Sequence, residues 1–497
     1  MANIRETILN IIIEYDRGGA RKPSLLKDSL DKVDYLETRD KAFIKRVVEG
    51  TLERQIQIDY IIDSFSRTRV RDMQPFIRSL MRMSTYQIMF MDQVPDSAAC
   101  NEAVKLAKRH SFSGLSGFVN GVLRNISRNK DDIQYPDRDK EGGAEFLSAY
   151  YSMPKWICRM WLEEYGNETT EKMLAFFLEP RPVTVRVSLP SSSGESPENV
   201  SDKEAAKDSS TKKTDDNVSK KDTAKDIRTS AAVAASISRL REDLEAAGCA
   251  VTESNILPYA LSLEKTDNIR YLPGFEDGRF FVQDVSSMLV TEIAAPEPSY
   301  TVIDVCAAPG GKSLHAAERA EKVLSGDVSE RKCELIRDNA ERMQISNVKV
   351  SVHDARIHDS SLENMADILY LDVPCSGLGI IGRKNDIKYN VTPGSLKEIS
   401  ALQWEIIGSS YDYVKVGGIM MYSTCTVNRG ENEDMVKRIC KELPFEAVDM
   451  TGRLPGALLE GLQGEKIAET AAQGYIQLLP GAFGTDGFFI AMLRRNG

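Results

Sequence analysis

Two cysteines in this chain stand where a thiol can do chemistry. Cys375 follows Asp372-Val373-Pro374 and precedes Ser376-Gly377, and Cys425 closes the run Tyr422-Ser423-Thr424. Each lies just past a short apolar run of strand length, Ile368 to Leu371 and Gly418 to Tyr422. In a parallel sheet, neighbouring strand ends can face one pocket, so residues 50 positions apart in sequence can meet there. A thiolate is a strong nucleophile whose covalent intermediate divides one difficult step into two easier ones. An isolated cysteine is more often a small buried residue. Placement at two strand ends inside two separate motifs favours the chemical reading here. Cys306 is expected to serve by its size and backbone, and Cys100, Cys158, Cys249, Cys333 and Cys440 by packing.

A third segment, Asp304-Val-Cys-Ala-Ala-Pro-Gly-Gly-Lys-Ser313, is a glycine turn that opens a helix after a strand. Glycines there let a ligand approach the backbone, and a helix N-terminus offers free N–H groups. Two cofactors compete. A phosphate-binding loop needs G-x-x-x-x-G-K-[ST]; Gly311-Lys312-Ser313 fits its end, but Cys306 occupies the first glycine position. Asp372, at the end of an apolar strand, even imitates the magnesium-binding strand of such NTPases. Against this, Pro309 removes an N–H that a phosphate cradle would use. Asp327 ends the next strand, where a carboxylate can accept ribose hydroxyls, and Asp354 follows the third strand in a similar place, suited to the adenine side. A sulfonium nucleoside carries no phosphate and needs such acceptors and no cradle. The expected cofactor is therefore S-adenosylmethionine, with the turn Ala307, Ala308, Pro309, Gly310, Gly311 and Lys312, and the carboxylates of Asp327 and Asp354, as its candidate contacts.

The acceptor follows from the thiols. Enzymes that methylate exocyclic nitrogens would be expected to carry an aromatic residue after the proline, to stack on the base; here Cys375 stands instead. Carbon 5 of cytosine is too weak a nucleophile to attack a methyl sulfonium directly. A thiolate adding to carbon 6 turns the ring into an enamine and activates carbon 5. An acid at ring N3 would help, and Asp372 is placed for it. A base inside a stack cannot receive this attack, so the target must be flipped or unpaired. Arg181, Arg186 and Arg279 are candidates for contacts to the RNA backbone.

These groups need a scaffold. Thr301-Val-Ile-Asp-Val, Lys322-Val-Leu-Ser-Gly, Val348-Lys-Val-Ser-Val, Ile368-Leu-Tyr-Leu and Gly418-Ile-Met-Met-Tyr read as strands, with helical stretches between the first four. That predicts a doubly wound parallel sheet over 276–497, a Rossmann-like α/β methyltransferase domain. Upstream, Val183-Thr-Val-Arg-Val and Gly248-Cys-Ala-Val suggest strands of a small α+β module spanning 140–275. It is interrupted at 191–226, where seven lysines, nine acidic residues and no aromatic predict a disordered insertion.

Residues 1–130 read as all-helical. Phe43, Ile44, Val47, Val48, Leu52 and Ile56 follow helical spacing, as do Ile77, Leu80, Met81, Ser84, Ile88 and Met91. Asp96 or Ser97 is expected to cap the helix that follows. The start carries Glu6 and Glu14 and no basic cluster, so it reads as an amphipathic helix and not as a secretory signal. A chain of 497 residues should hold two or three domains. Its net charge of −10 is unevenly spread: 22 lysines and arginines against 16 acidic residues in 1–130 give +6 and leave −16 for the rest. A basic module joined to an acidic one suits an RNA-guiding domain on an enzyme. Eight cysteines without a C-x-x-C pair and four histidines predict no metal site. No apolar run is long enough for a membrane helix. A cytoplasmic monomer is expected.

Asp40-Lys-Ala-Phe-Ile, Tyr86-Gln-Ile-Met-Phe, Val94-Pro, Asn101-Glu-Ala-Val-Lys-Leu-Ala-Lys and Gly117-Phe-Val-Asn-Gly-Val-Leu-Arg124 together resemble the NusB-type RNA-binding domain. Cys-Ala-Ala-Pro-Gly-Gly-Lys, Asp-x-Pro-Cys-Ser-Gly and Ser-Thr-Cys are similar to the RNA cytosine-C5 methyltransferases of the RsmB/NOP family. The resemblance covers nearly the whole chain except 191–226. It implies small-subunit ribosomal RNA as substrate, Cys425 as nucleophile, Cys375 as the residue assisting release, and Cys306 to Lys312, Asp327, Asp354 and Asp372 around the cofactor. Lys312 and Asp372 join the two cysteines as the catalytic set. Val373 and Ser313 depart from an expected alanine and threonine, and neither change removes a needed group. The NusB-like part alone would also suit a non-catalytic RNA-binding or antitermination factor, against which the intact Cys375, Cys425 and glycine turn argue.

Overall fold

A computed structural model describes residues 4–17, 24–33, 35–188, 231–266 and 268–497. The expected insertion at 191–226 lies outside them. The chain divides into two compact units. One comprises 1–180 with 376–398 and 479–484, the other 181–375 with 399–478 and 485–497.

The first unit is helical. Its sequence stripes become buried faces: Ile8, Leu9, Ile11 and Ile12 on the helix Ile4–Arg17, and Val119, Val122, Leu123 and Ile126 on Ser116–Arg128. Two details depart from the sequence reading. The stripe from Phe43 to Ile56 is broken at Arg54 (φ −99°, ψ 15°) into Thr38–Glu53 and Gln55–Phe65. Neither Asp96 nor Ser97 caps its helix, which begins at Asp96 after Pro95. The Asp96 carboxylate instead accepts from Ser127 Oγ at 2.8 Å and Lys130 Nζ at 3.3 Å, tying two helices together.

Segment 376–398 belongs to this unit through a buried cation. Lys388, 2% exposed, donates from Nζ to the carbonyls of Glu53 and Ser152, both at 2.6 Å, and Tyr389 donates to the carbonyl of Leu52. Helix ends leave carbonyls without intrahelical partners, and these donors satisfy them.

The second unit holds two sheets. The smaller comprises β1 (Val183–Val187), β2 (Ala250–Glu253), β3 (Ala260–Glu264) and β4 (Phe280–Val282), antiparallel in the order β2-β3-β1-β4. The larger comprises β5 (Thr301–Asp304), β6 (Lys322–Asp327), β7 (Val348–Val352), β8 (Ala366–Asp372), β9 (Val414–Thr424), β10 (Phe445–Ala447), β11 (Tyr475–Leu478) and β12 (Phe488–Arg495). Its order is β10-β12-β9-β8-β5-β6-β7, with β11 on β12.

The five strands read from the sequence are all present and parallel, and β10, β11 and β12 add an antiparallel edge that the reading missed. The sheet is thus mixed. Helices Gly311–Ala317 and Glu330–Arg342 fill the first two crossovers as expected. The expected helix between β7 and β8 is only the 3-10 turn Ser360–Leu362.

Register sets up the site. Asp372 on β8 pairs with Ser423 on β9. Cys375 and Cys425 lie three and two residues beyond that pair, so both chains leave the sheet together at its carboxyl edge.

Candidate active site

The thiols meet: Cys375 Sγ and Cys425 Sγ are 3.2 Å apart, and both residues are partly exposed. Beside them in the strand register, Asp372 is held at both oxygens. Lys312 Nζ donates to Oδ2 at 2.7 Å and Ser423 Oγ donates to Oδ1 at 2.7 Å. Lys312 is itself only 7% exposed and lies 5.2 Å from the centre of the Phe488 ring. A buried ammonium needs such a partner, since an unpaired charge is costly away from water.

The glycine turn runs from the end of β5 into the helix Gly311–Ala317. Gly310 adopts φ +105°, which a side chain would oppose. A Cβ on Gly311 would stand 3.3 Å from Phe281 Cε1, tighter than an ordinary contact. A cavity of about 150 Å³ lies here. Cys306, Ala307, Ala308, Pro309, Gly311, Lys312 and Asp372 line it, with Asp304 and the segment Phe281 to Asp284. That is less than the roughly 300 Å³ at which ligand pockets usually begin, so it has room for only part of a nucleoside-sized molecule.

Asp327 does not line this cavity but supports its wall. Its carboxylate, 4% exposed, accepts from the N–H of Ala308 at 3.1 Å and of Val328 at 2.7 Å, and pairs with Lys332 at 3.0 Å. Asp354 does not line it either. It is partly exposed and bound by Arg356, whose side chain and backbone N–H pull its carboxyl down to about 2.

Sequence reading passed over Asp304 as a site residue. It is 1% exposed, accepts from Ser313 Oγ at 2.7 Å through Oδ2, and has no hydrogen-bond partner at Oδ1. Burial raises its carboxyl to about 7, with the Asp372 charge adding to the effect. Burial likewise pushes up the Cys306 thiol, in keeping with a role through size and backbone. The signal for Asp304 was its place at the end of β5, and nothing in its motif announced that it would be buried. No sequence signal pointed to the wall Phe281 to Asp284, which begins on β4 of the smaller sheet and ends at Asp284, the cap of the helix Val285–Ala294.

The same geometry separates the two nucleotide readings. The lysine and hydroxyl that a phosphate loop would use are committed to Asp372 and Asp304. What remains is the backbone of a glycine turn beside acidic side chains, a lining that disfavours a polyphosphate.

Two of the three arginines proposed for RNA contacts are corrected by their surroundings. Arg186 is fully buried and bonded to Glu318 and to Gln283 at 3.1 Å. Arg181, its side chain 9% exposed, pairs with Asp486 at 3.2 Å. Arg279 pairs with Asp243. A charged group is expensive to bury, and Arg181 and Arg186 have found buried anions, which overturns their expected role. The Arg279–Asp243 pair is partly exposed (side chains 34% and 48%) and leaves that expectation standing.

Among the described residues one His/Glu/Asp cluster, His358, Glu363 and Asp412, has the spacing of a metal site. It is largely exposed, and the imidazole is already bonded to the Ser409 carbonyl and to Glu363, each at 2.9 Å. No helix among the described residues is long and apolar enough to cross a membrane.

Comparison with known proteins agrees with this geometry. Residues 291–494 match the family model "16S rRNA methyltransferase RsmB/F", and residues 2–128 match the NusB family. The chain is 32% identical over 504 residues to "Probable ribosomal RNA small subunit methyltransferase B" of Bacillus subtilis, covering all of this chain and 99% of that one. It is 29% identical to the protein of the same description from Synechocystis, covering 93% and 92%. A crystal structure described as PH0851 has the same fold with a TM-score of 0.70 at 22% identity, covering 100% of this chain and 99% of the other. With its paired thiols, glycine turn and NusB-type helical module, the chain belongs to the RsmB/F family of 16S ribosomal RNA methyltransferases.

Proposed function

We propose that this chain methylates carbon 5 of a cytosine in small-subunit ribosomal RNA through a covalent adduct between Cys425 and carbon 6. The observation that carries the proposal is the 3.2 Å approach of two thiols beside the Lys312–Asp372 pair. An enzyme acting on an exocyclic nitrogen has no use for two thiols at this point.

The wall from Cys306 to Lys312, with Asp304, Asp327 and Asp372, would hold S-adenosylmethionine; Asp354 would reach its adenine side only after leaving Arg356. Bound there, that cofactor supplies an electrophilic methyl group. The chain's own residues do the rest. Cys425, as thiolate, forms a bond to carbon 6 of a flipped cytosine, and the ring electrons move toward carbon 5 and N3. Asp372, kept in place by Lys312 and Ser423, delivers to N3 a proton that Lys312 passes along their hydrogen bond, and takes it back when carbon 5 has been methylated. After methylation a water acting as base takes the carbon-5 proton, and the electron pair of that C–H bond re-forms the ring double bond while expelling the Cys425 thiolate. Cys375 assists that departure. No step calls for a metal.

In this reading residues 1–130 guide the RNA, 140–275 link, and 276–497 catalyse, in a cytoplasmic monomer with the ribosomal RNA as its partner. With substrate RNA and S-adenosylmethionine, Cys425→Ala should form neither product nor adduct. Cys375→Ala should still add to the ring and accept the methyl group, then stall as a complex that survives denaturing electrophoresis. A shifted band confined to Cys425→Ala would overturn the assignment. Bisulfite sequencing of ribosomal and transfer RNA from a deletion strain identifies the cytosine.

A further inference from the structure

Next to the two thiols lies a buried polar network that the reaction above leaves unused. Gln403 is fully buried and donates from Nε2 to the carbonyl of Pro374 at 2.9 Å, the peptide that precedes Cys375. The same amide donates to Glu431 Oε2 at 3.1 Å, and Asn428 Nδ2 donates to Oε1 at 2.9 Å. Tyr422 donates to the Glu431 carbonyl at 2.6 Å.

A second cluster flanks Cys425. Thr424 Oγ1 donates to Asn432 Oδ1 at 2.6 Å, and Asn432 Nδ2 donates to the carbonyl of Thr426 at 3.1 Å and to Gln477 Oε1 at 2.7 Å. Gln477 Nε2 is in turn bonded to the carbonyls of Leu478 and Phe488, both at 3.0 Å. Gln403, Thr424, Thr426, Glu431 and Asn432 are all 0% exposed.

Packing alone does not ask for this. Apolar side chains of similar volume would fill the same space without the desolvation of amides and a carboxylate. The two clusters are joined, since Tyr422 Oη also lies 3.3 Å from Gln403 Oε1 and Glu431 adjoins Asn432, but their contacts nearest the thiols differ. Gln403 holds the carbonyl of Pro374 before Cys375, and Asn432 holds Thr424 and Thr426 on either side of Cys425. Fully satisfied buried networks are rigid, and reactive groups must be held within about 0.5 Å of productive geometry.

We infer that Gln403 and Asn432 are separate positioning residues, Gln403, braced by Glu431, for Cys375 and Asn432, braced by Gln477, for Cys425. Neither touches the reacting atoms. The split rests on the roles proposed above, in which Cys425 forms the adduct and Cys375 assists its release.

The two residues should therefore fail in opposite ways. Gln403→Met keeps side-chain length and removes the donor. It should leave first-turnover methyl transfer within about threefold of the parent, slow multiple turnover by more than about tenfold, and accumulate the denaturation-resistant RNA complex. Asn432→Ala should slow formation of that complex by more than about tenfold and accumulate none. Affinities for RNA and S-adenosylmethionine should stay within about threefold of the parent in both. Where either variant fails to fold, Glu431→Gln and Thr424→Val test the same two braces with smaller changes.

A second readout does not depend on which thiol attacks. Diamide, taking up two electrons and two protons from a thiol pair, should link Cys375 to Cys425 in the full-length protein, as read by peptide mass spectrometry. Each variant should slow that linkage. Linkage at the parental rate in both variants, or equal loss of both reaction stages in both, would overturn the positioning role. Slowed linkage with the two RNA phenotypes exchanged would uphold positioning and overturn the assignment of the thiols.

Discussion

Replacing Asp304 by asparagine should remove a pH dependence of stability that this one buried carboxyl imposes. Asp304 is 1% exposed, with Ser313 on one oxygen and no hydrogen-bond partner on the other, and burial raises it from 3.8 to about 7. Its folded-state value lies above its unfolded one, so the folded protein holds a proton that the unfolded chain has released. The stability this contributes is fully present below about pH 4 and is lost as pH rises through about 7. A rise of about three units corresponds to at most about 4 kcal/mol, and local relaxation with water entry brings the working figure to about 2 kcal/mol. About two of the three units fall between pH 5 and pH 8, so at about 2–4 °C per kcal/mol for a domain of this class the melting transition should fall by about 3–5 °C across that range. Asp304→Asn keeps the shape and an acceptor for Ser313 but cannot ionise. Scanning calorimetry of both proteins across that range isolates the effect, because the titration of distant groups cancels in the difference. The parent should approach or exceed the variant at pH 5 and fall behind it by pH 8. A difference that is flat within about 1 °C, or that grows the other way, would refute the argument that Asp304 is held protonated by burial.

Two further substitutions test the site from other directions. Arg186→Met should destabilise the fold by about 3–5 kcal/mol in thermal melts, because it strands Glu318, whose side chain is 6% exposed, without its cation; RNA affinity measured below the transition should be unchanged, and a selective loss of RNA binding would restore Arg186 as an RNA contact. Asp327→Ala removes the acceptor of the Ala308 N–H and releases Lys332; titration calorimetry should show S-adenosylmethionine affinity falling by about 1–3 kcal/mol, with ATP bound far more weakly by the parent, and tight magnesium-dependent ATP binding would overturn the cofactor reading.

Some of this protein was decided by local sequence and some only by the assembled fold. Helical stripes and strand-length apolar runs are properties of neighbouring residues, so the helices bearing Ile8 and Leu123 and the five parallel strands could be read directly. The glycine turn and the two cysteine motifs were legible for the same reason: each is a short run whose residue types already restrict the backbone and the chemistry. Partnership across the fold was not legible. The sequence shows two thiols at strand ends, but their 3.2 Å approach depends on the pairing of Asp372 with Ser423, which the sheet sets. Arginines at 181 and 186 look like RNA contacts until folding hands them Asp486 and Glu318. The antiparallel β10, β11 and β12 escaped because β10 and β11 are short, while β12 is a continuous apolar run whose direction is set by nonlocal pairing with β9. Asp304 is the sharpest case. Its letter is an ordinary acid at a strand end, and only the burial of that end by distant residues decides whether it carries a charge.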